Sequence, residues 1–191
     1  MTHAEIFDDI YRTNFWGGSG GGSREEVAWP FAAYASKLIH KYGVNLVVDV
    51  GCGDGTIANL IEFGFGSYLG CDVSRVVIED RHSYGRMRYA VLNAVTDNLP
   101  DAGLVLLKEV TQHLSNADIR ALLANLARYP MVLHCSALHG GVHLCTDGDI
   151  ETGKGFRSVR LADFGCANVT PVLEWQAFGG SYQMELWRPG Q

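Results

Sequence analysis

The sequence predicts an α/β fold in a single domain, residues 1–191, with a mostly parallel sheet finished by an antiparallel carboxyl-terminal hairpin. Three observations predict it. From Leu46 onward, short β-branched runs alternate with amphipathic stretches, the rhythm of parallel strands joined by crossover helices. One such run, Leu46 to Val50, passes directly into the glycine-rich turn GCGDG. Near the end the rhythm changes, and PVLEWQAFGGSYQMELWRP reads as two strands joined at Gly179-Gly180, a hairpin signature.

Size and composition bound the rest. With 191 residues, 47% apolar and 19% charged, the chain can bury one core but not two comfortable ones. Its 15 Lys and Arg against 21 Asp and Glu give a net charge of −6, with no basic block to neutralise a run of phosphates, so nucleic acid is not expected as a partner. No apolar run approaches the ~18 residues of a membrane span, and MTHAEIFDDI is acidic where a secretory signal is basic and then apolar. A soluble, cytoplasmic protein is expected. Five cysteines, at 52, 71, 135, 145 and 166, are odd in number and never spaced C-x-x-C, which argues for reduced, structural thiols.

Along the chain, AEIFDDIYRTNFW carries aromatics at 7, 11, 15 and 16, a helical spacing. Next comes GGSGGGS, Gly17 to Ser23, a flexible linker by composition, or part of a flap packed on the body because so little lies upstream to be linked. SREEVAWPFAAYASKLIHKYG reads as a helix capped by Ser23 with Glu26 in capping-box spacing, ending near Gly43 and kinked or split at Pro30. Residues 1–45 together form a helical flap and cap. Strands are expected near 46–50, 67–72, 88–92, 103–107 and 130–135, and helices near 56–63, 74–82 and 116–128.

The turn after the first strand carries the chemistry. Glycines at Gly51, Gly53 and Gly55 let a ligand approach the backbone, and the expected helix N-terminus presents unpaired N–H groups. Both a dinucleotide and S-adenosylmethionine can use such a turn. A G-x-G-x-x-G fingerprint begun at Gly51 fails at Thr56, while Gly53, Gly55 and Ala58 meet the looser form ending in alanine. Charge weighs more: Asp49 and Asp54 would repel a pyrophosphate and suit a ligand bearing an ammonium and a sulfonium. Asp72 ends the next strand, about 20 residues beyond the turn, where a carboxylate can accept the ribose hydroxyls of either cofactor. Asn93 follows the third strand, either as a turn residue or to meet an adenine amino group while Ala94 or Leu92 packs the ring.

In order and spacing, VVDVGCGDG, YLGCDVS, LNAVTDNLP and LVLLKEVTQHLSNADI resemble the class I S-adenosylmethionine-dependent methyltransferases, over Val47 to Leu126. IYRTNFWGGSGGGS, GDIETGKGFRSVRL and MELWR are similar to a poorly characterised subgroup of small bacterial members. There a Trp-Gly, Ser-Gly-x-Gly-Ser flap precedes the cofactor loop, and Asp-Ile-x-Thr-Gly…Arg follows the fifth strand. The chain departs from that subgroup in a shortened flap between Trp16 and Ser19, in Gly51 and Gly55, in Lys108-Glu109 for Arg-Asp, and in an apparent insertion at Lys154-Gly155. The resemblance implies a Rossmann-like seven-stranded sheet with helices on both faces. It also implies S-adenosylmethionine as cofactor, S-adenosylhomocysteine as product, and a cofactor site of Asp49, Gly51, Cys52, Gly53, Asp54, Asp72, Val73, Asn93, Ala94 and Lys108.

Methyl transfer is an in-line displacement, in which alignment and exclusion of water are worth up to ~7–11 kcal/mol and a positioned base adds ~10²–10⁴-fold for a hydroxyl acceptor. His113, just past the fourth strand, is the first choice as base, or else packs at a helix start. Glu109 orients it, touches substrate or contacts the fold. Asp147, Asp149 and Arg157 are expected in a loop over the methyl donor, with Arg157 suited to a substrate carboxylate or phosphate, or simply solvated. Tyr11, Trp16 and Ser19 are expected either as a lid or as a staple of the first helix to the body. His134, His139, His143, Asp147 and Asp149 lack the spacing that fixes a metal, so none is expected. The expected substrate is a small polar molecule such as a sugar, amino acid or natural-product intermediate. The competing readings are a cofactor-binding protein without turnover and a nicotinamide-dependent oxidoreductase, which the acidic turn disfavours.

Overall fold

The structure, a computed structural model, describes residues 1–138 and 148–190; Asp147, His139, His143 and Cys145 lie outside the described residues. Helices α1 (His3–Arg12) and α2 (Glu25–Tyr42) come first. Then follow β1 (Leu46–Val50), β2 (Ser67–Asp72), α3 (Arg75–Glu79), β3 (Met87–Val91), β4 (Leu104–Lys108), α4 (Asn116–Leu126), β5 (Val132–Leu138), β6 (Val169–Ala177) and β7 (Gly180–Trp187). One seven-stranded sheet runs β3-β2-β1-β4-β5-β7-β6, parallel from β3 to β5 and reversed only where β7 pairs antiparallel with both β5 and β6.

The central strands are apolar on both faces, as a parallel sheet covered on both sides requires. Val47, Leu104, Leu106 and Leu133 pack against Phe31, Ala35, Leu38 and Ile39 of α2. The alternating set, Val48, Val50, Val105 and Leu107, packs against Ile119, Leu122, Leu123 and Leu126 of α4. Among the described residues no helix is long and apolar enough to cross a membrane.

Four local expectations give way to packing. Residues 56–63 form only one 3-10 turn, Ile57–Leu60, because Ser36 of α2 accepts the Glu62 amide at 2.9 Å and Ile61 is already extended. Ser23 does not cap α2: it closes a 3-10 turn, Gly21–Ser23, its hydroxyl donates to the Ser19 carbonyl at 3.2 Å, and Arg24 is the N-cap. Pro30 does not split α2, which runs unbroken to Gly43. Proline inside a helix costs ~3 kcal/mol, and burial of Phe31, Leu38 and Ile39 at ~1.5–3 kcal/mol each exceeds that. The hairpin turns through Phe178 and Gly179, both at positive φ, one residue earlier than read, with Ala177 facing Gly180.

Helix α1 is docked. Thr2 and Glu5 form its capping box. On its inner side Asp8 accepts from the Ser74 hydroxyl at 2.7 Å and the Val76 amide at 3.2 Å, at the start of α3. Burial raises the Asp8 pKa, but these bonds outweigh it and leave the carboxyl below its usual range. Asp8→Ala should therefore weaken the docking of α1 by ~1–3 kcal/mol. Trypsin should cleave after Arg12 and Arg24 faster than in the wild type, with little change in global thermal stability.

Candidate functional site

The sheet order reverses between β1 and β4, and a cavity of about 740 Å³ opens there at the carboxyl ends of the strands. Its floor is the glycine turn, Asp72, Val73, Lys108 and Glu109; its roof is α1 with the glycine segment after it; its far wall is Gly153 to Phe156. The lining is mainly apolar and aromatic, with Phe7, Trp16, Leu92, Val110 and Phe156 prominent.

The turn is built on close approach. Gly51 and Gly53 have φ of 69° and 55°. A Cβ on Gly51 would collide with Val110, and one on Gly53 with Ser19. The amides of Gly51 and Cys52 donate to the Cys71 carbonyl at 2.8 and 3.1 Å, Gly53 to Asp72 Oδ2 at 3.1 Å, and Asp54 to Ser19 Oγ at 2.8 Å. Gly55 donates to the Cys52 carbonyl and Thr56 to Asp54 Oδ1. Every amide from 51 to 56 is thus spent inside the protein, and the anion-binding helix start expected here is replaced by a single 3-10 turn. Asp72 also accepts from the Ser74 amide at 2.9 Å, so each carboxylate oxygen keeps capacity for a ligand hydroxyl. Burial pushes its pKa up to about 6, against the backbone donors that lower it. Cys52 and Val73 also line the cavity, and burial raises the Cys52 thiol well above its ordinary value.

Two expected acids do not line it. Asp49 points beneath the turn and accepts from the Tyr68 hydroxyl at 2.8 Å; Asp54 lies outside the lining, its carboxylate near Gly18 and its carbonyl taken by Arg81. The period-2 alternation of β1 explains the first, since Asp49 shares the α2 face with Val47. Asn93 and Ala94 line the cavity, but the Asn93 side chain is already held: Oδ1 accepts from the Val95 amide at 3.1 Å and Nδ2 meets His3 Nδ1 at 3.2 Å.

The glycine segment is no free linker. Gly22 sits so close to Glu109 that a Cβ would overlap the carboxylate, and its carbonyl accepts from Lys108 Nζ at 2.8 Å. Lys108 is ion-paired with Glu109, which itself adopts φ 56°. Ser19 locks the segment to the turn, and Tyr11 lies 3.5 Å from Ser19 Oγ. The Tyr11 phenol is pushed up by burial and by Asp72. Trp16 lies over His113, ring centroids 4.6 Å apart at 31°.

His113 is in the cavity, in the one-turn 3-10 helix Thr111–His113 after β4. Its Nδ1 faces the Gly155 carbonyl at 3.1 Å and its Nε2 faces Gln112 Nε2 at 3.3 Å. Asp149 and Arg157 are elsewhere, contrary to expectation. Asp149 Oδ1 accepts from the Asn116 amide at 2.7 Å, at the start of α4. Arg157, 3% exposed, donates to the carbonyls of Gly148 and Leu114 at 2.7 and 3.0 Å. Both fold the far wall and neither lines the cavity. His134 is fully buried between Glu185, 3.1 Å from Nδ1, and Thr111, 2.9 Å from Nε2. Among the described residues no group of three His, Cys, Asp or Glu is placed to hold a metal.

Residues the sequence reading did not assign to the site include Gln112, His3, Phe7 and Lys154, all in the lining. His3 and Phe7 share the helical face that carries Tyr11, so the 3.6-residue period held that signal.

No protein-family model matches the chain, and no curated protein matches it in sequence. Solved structures do match. Magnesium protoporphyrin IX methyltransferase from Synechocystis PCC 6803 with bound SAH aligns at TM-score 0.66 and 16% identity, over 98% of this chain and 100% of its own. Human N-acetylserotonin methyltransferase in complex with SAM gives 0.62 and 16%, over 100% of this chain, which spans 61% of that longer one. The N-methyltransferase NodS from Bradyrhizobium japonicum WM9, with S-adenosyl-L-homocysteine, gives 0.60 and 14%, over 87% and 88%. The fold is therefore the Rossmann-like fold of class I methyltransferases.

Asp49 links this floor to pH. Burial pushes its pKa up to about 7, with Tyr68 opposing, while in the unfolded chain it titrates near ~3.9. The folded state then binds the extra proton between those values, so stability falls as pH rises from about 4 to about 7. Asp49→Asn keeps an acceptor for Tyr68 and removes the proton. The variant's melting temperature should exceed the wild type's at pH 8, by a difference that shrinks toward pH 4 and corresponds to a few kcal/mol at most, at about 1.4 kcal/mol per unit.

Proposed function

We propose that this protein is a methyltransferase that takes S-adenosylmethionine as donor and methylates a small molecule. The observation that carries this reading is Asp72, a carboxylate fixed beside a bare glycine turn at the switch point, in one cavity with His113. Asp72 would accept the two ribose hydroxyls. Gly51 to Gly53 line the cavity beside Asp72, and Val73, Leu92 and Ala94 would supply apolar contacts around the base. When bound, the cofactor supplies an electrophilic methyl group. The fold shared with methyltransferases solved with SAM or SAH supports the same reading.

The turn also argues against a dinucleotide, on firmer ground than its acids. A pyrophosphate needs free amides or a free cation. The amides of residues 51 to 56 already have acceptors, and Lys108 is committed to Glu109 and Gly22.

On the acceptor side, Trp16 and Phe156 flank His113, Phe15 lines the same cavity, and Phe15 and Phe156 are 76% and 53% exposed at the rim. Large apolar side chains exposed at a mouth serve a ligand with an apolar body. Lys154 is paired with Glu151 and Arg157 is turned into the wall, which leaves a substrate carboxylate or phosphate little to bind. The acceptor we infer is an uncharged small molecule with one hydroxyl or amine on an apolar body, rather than a sugar or free amino acid. His113 would take the acceptor's proton as the acceptor bonds the methyl carbon and the sulfonium C–S bond breaks, with S-adenosylhomocysteine as the leaving group, while the docked flap keeps water out.

Calorimetry and methyl-labelled turnover test this directly. S-adenosylhomocysteine should bind and NAD should not, and Asp72→Ala should abolish that binding. Labelled methyl should pass to phenol- or arylamine-type acceptors before sugars, and His113→Ala should lower kcat by ~10²–10⁴-fold with cofactor affinity kept. Binding without transfer to any extract component would make the protein a non-catalytic binder.

A further inference from the structure

We propose that Gln112 is a positioning residue that holds His113 as the neutral imidazole with its proton on Nδ1, leaving Nε2 as the atom that takes the acceptor's proton. This rests on the reading of His113 as base, but the geometry behind it is separate. Ala137 N–H donates to Gln112 Oε1 at 3.1 Å. Since a backbone amide only donates, the Gln112 side chain is fixed one way round, with its NH₂ turned to His113 Nε2 at 3.3 Å. An amide nitrogen only donates, so Nε2 must carry a lone pair. On the other side of the ring the Gly155 carbonyl, 3.1 Å away, only accepts, so Nδ1 must carry the proton. Three backbone and side-chain groups from β5, the β4–α4 turn and the far wall therefore agree on one tautomer.

The arrangement also opposes imidazolium. A protonated Nε2 would face the Gln112 N–H donor to donor, and a hydrogen bond made to the neutral form disfavours the charged one. Among the described residues, the other titratable groups lining the cavity are His3 and Tyr11 on α1, Cys52 in the turn, Asp72 at the end of β2, Lys108, Glu109, Lys154 and Tyr182. Lys108 and Glu109 at the end of β4 neutralise each other, as Lys154 and Glu151 do in the far wall; Tyr11 lies on α1 and Tyr182 on β7. Trp16, tilted 31° to the ring at a centroid distance of 4.6 Å, is neutral. An entering hydroxyl replaces Gln112 as donor to Nε2 and finds a base that is already deprotonated and already aimed.

Gln112→Glu is the discriminating change. It keeps the acceptor for Ala137 and puts an acceptor where the donor was. In protein labelled with ¹⁵N-histidine, wild-type His113 should show a pyrrole-type Nδ1 and a pyridine-type Nε2. In Gln112→Glu its titration midpoint should rise by about one pH unit or more. The acid limb of kcat/KM should move with it, and Gln112→Met should fall between. A wild-type ring protonated on Nε2, or a Gln112→Glu midpoint unchanged from wild type, would overturn the proposal. The wild-type spectrum decides the tautomer even if a variant fails to fold. Full methyl transfer by His113→Ala would overturn the base reading alone and leave the tautomer assignment standing.

Discussion

The structure depends on backbone with nothing attached to it. At three places the cavity is closed by a side chain resting where a Cβ would otherwise be: Val110 on Gly51, Ser19 on Gly53 and Glu109 on Gly22. These contacts bring the end of β4, the turn after β1 and the amino-terminal segment within touching distance of one another. They also determine the electrostatics of the turn. Once Ser19 Oγ and Asp72 take the amides of Asp54 and Gly53, the turn offers a ligand shape and a carboxylate rather than positive N–H dipoles.

That arrangement carries a cost at Glu109, a non-glycine residue in the left-handed region, a conformation worth about 1–3 kcal/mol of strain. It is held from two sides. Its amide donates to the Cys135 carbonyl at 2.8 Å, and its carboxylate pairs with buried Lys108, which in turn holds the Gly22 carbonyl. The strained residue thus joins the strand that delivers His113 to the roof that carries Trp16. Its place in the cavity follows from the turn it forces as much as from its charge.

The sheet was legible in the sequence because burial on both faces leaves unbroken apolar runs, and because β7 reverses at a turn rich in glycine. Much of the floor was legible too: Gly51, Gly53, Asp72 and Val73 follow from a strand, turn and strand-end pattern. What sequence order could not carry was direction. Asp49 is next to last in β1 and Asp72 last in β2, yet one points at Tyr68 beneath the turn and the other into the cavity. Arg157 and Asp149 have the composition of a substrate site and the bonds of a loop scaffold. Ser23 matches a capping box, but the glycine segment docks and takes its hydroxyl for Ser19. In each case a long-range partner, invisible to spacing, outbid the local motif.

The roof and the far wall are tied to each other through Asp118. His3 Nδ1 faces Asn93 Nδ2, whose amide is oriented by the Val95 N–H, so His3 Nε2 is the protonated nitrogen that meets Asp118 at 3.2 Å. Asp118 also takes the hydroxyls of Ser115 and Thr152; burial raises its pKa, but these bonds outweigh it and hold the carboxyl below its usual range. Thr152 belongs to the wall, and its neighbour Gly153 is so close to Ile6 of α1 that a Cβ would collide there. Lifting α1 therefore breaks the His3 contacts on Asn93 and Asp118 and the packing on Gly153 together. Gly155 in that same wall lies 3.1 Å from His113 Nδ1, so the wall that packs on α1 also touches the His113 side chain.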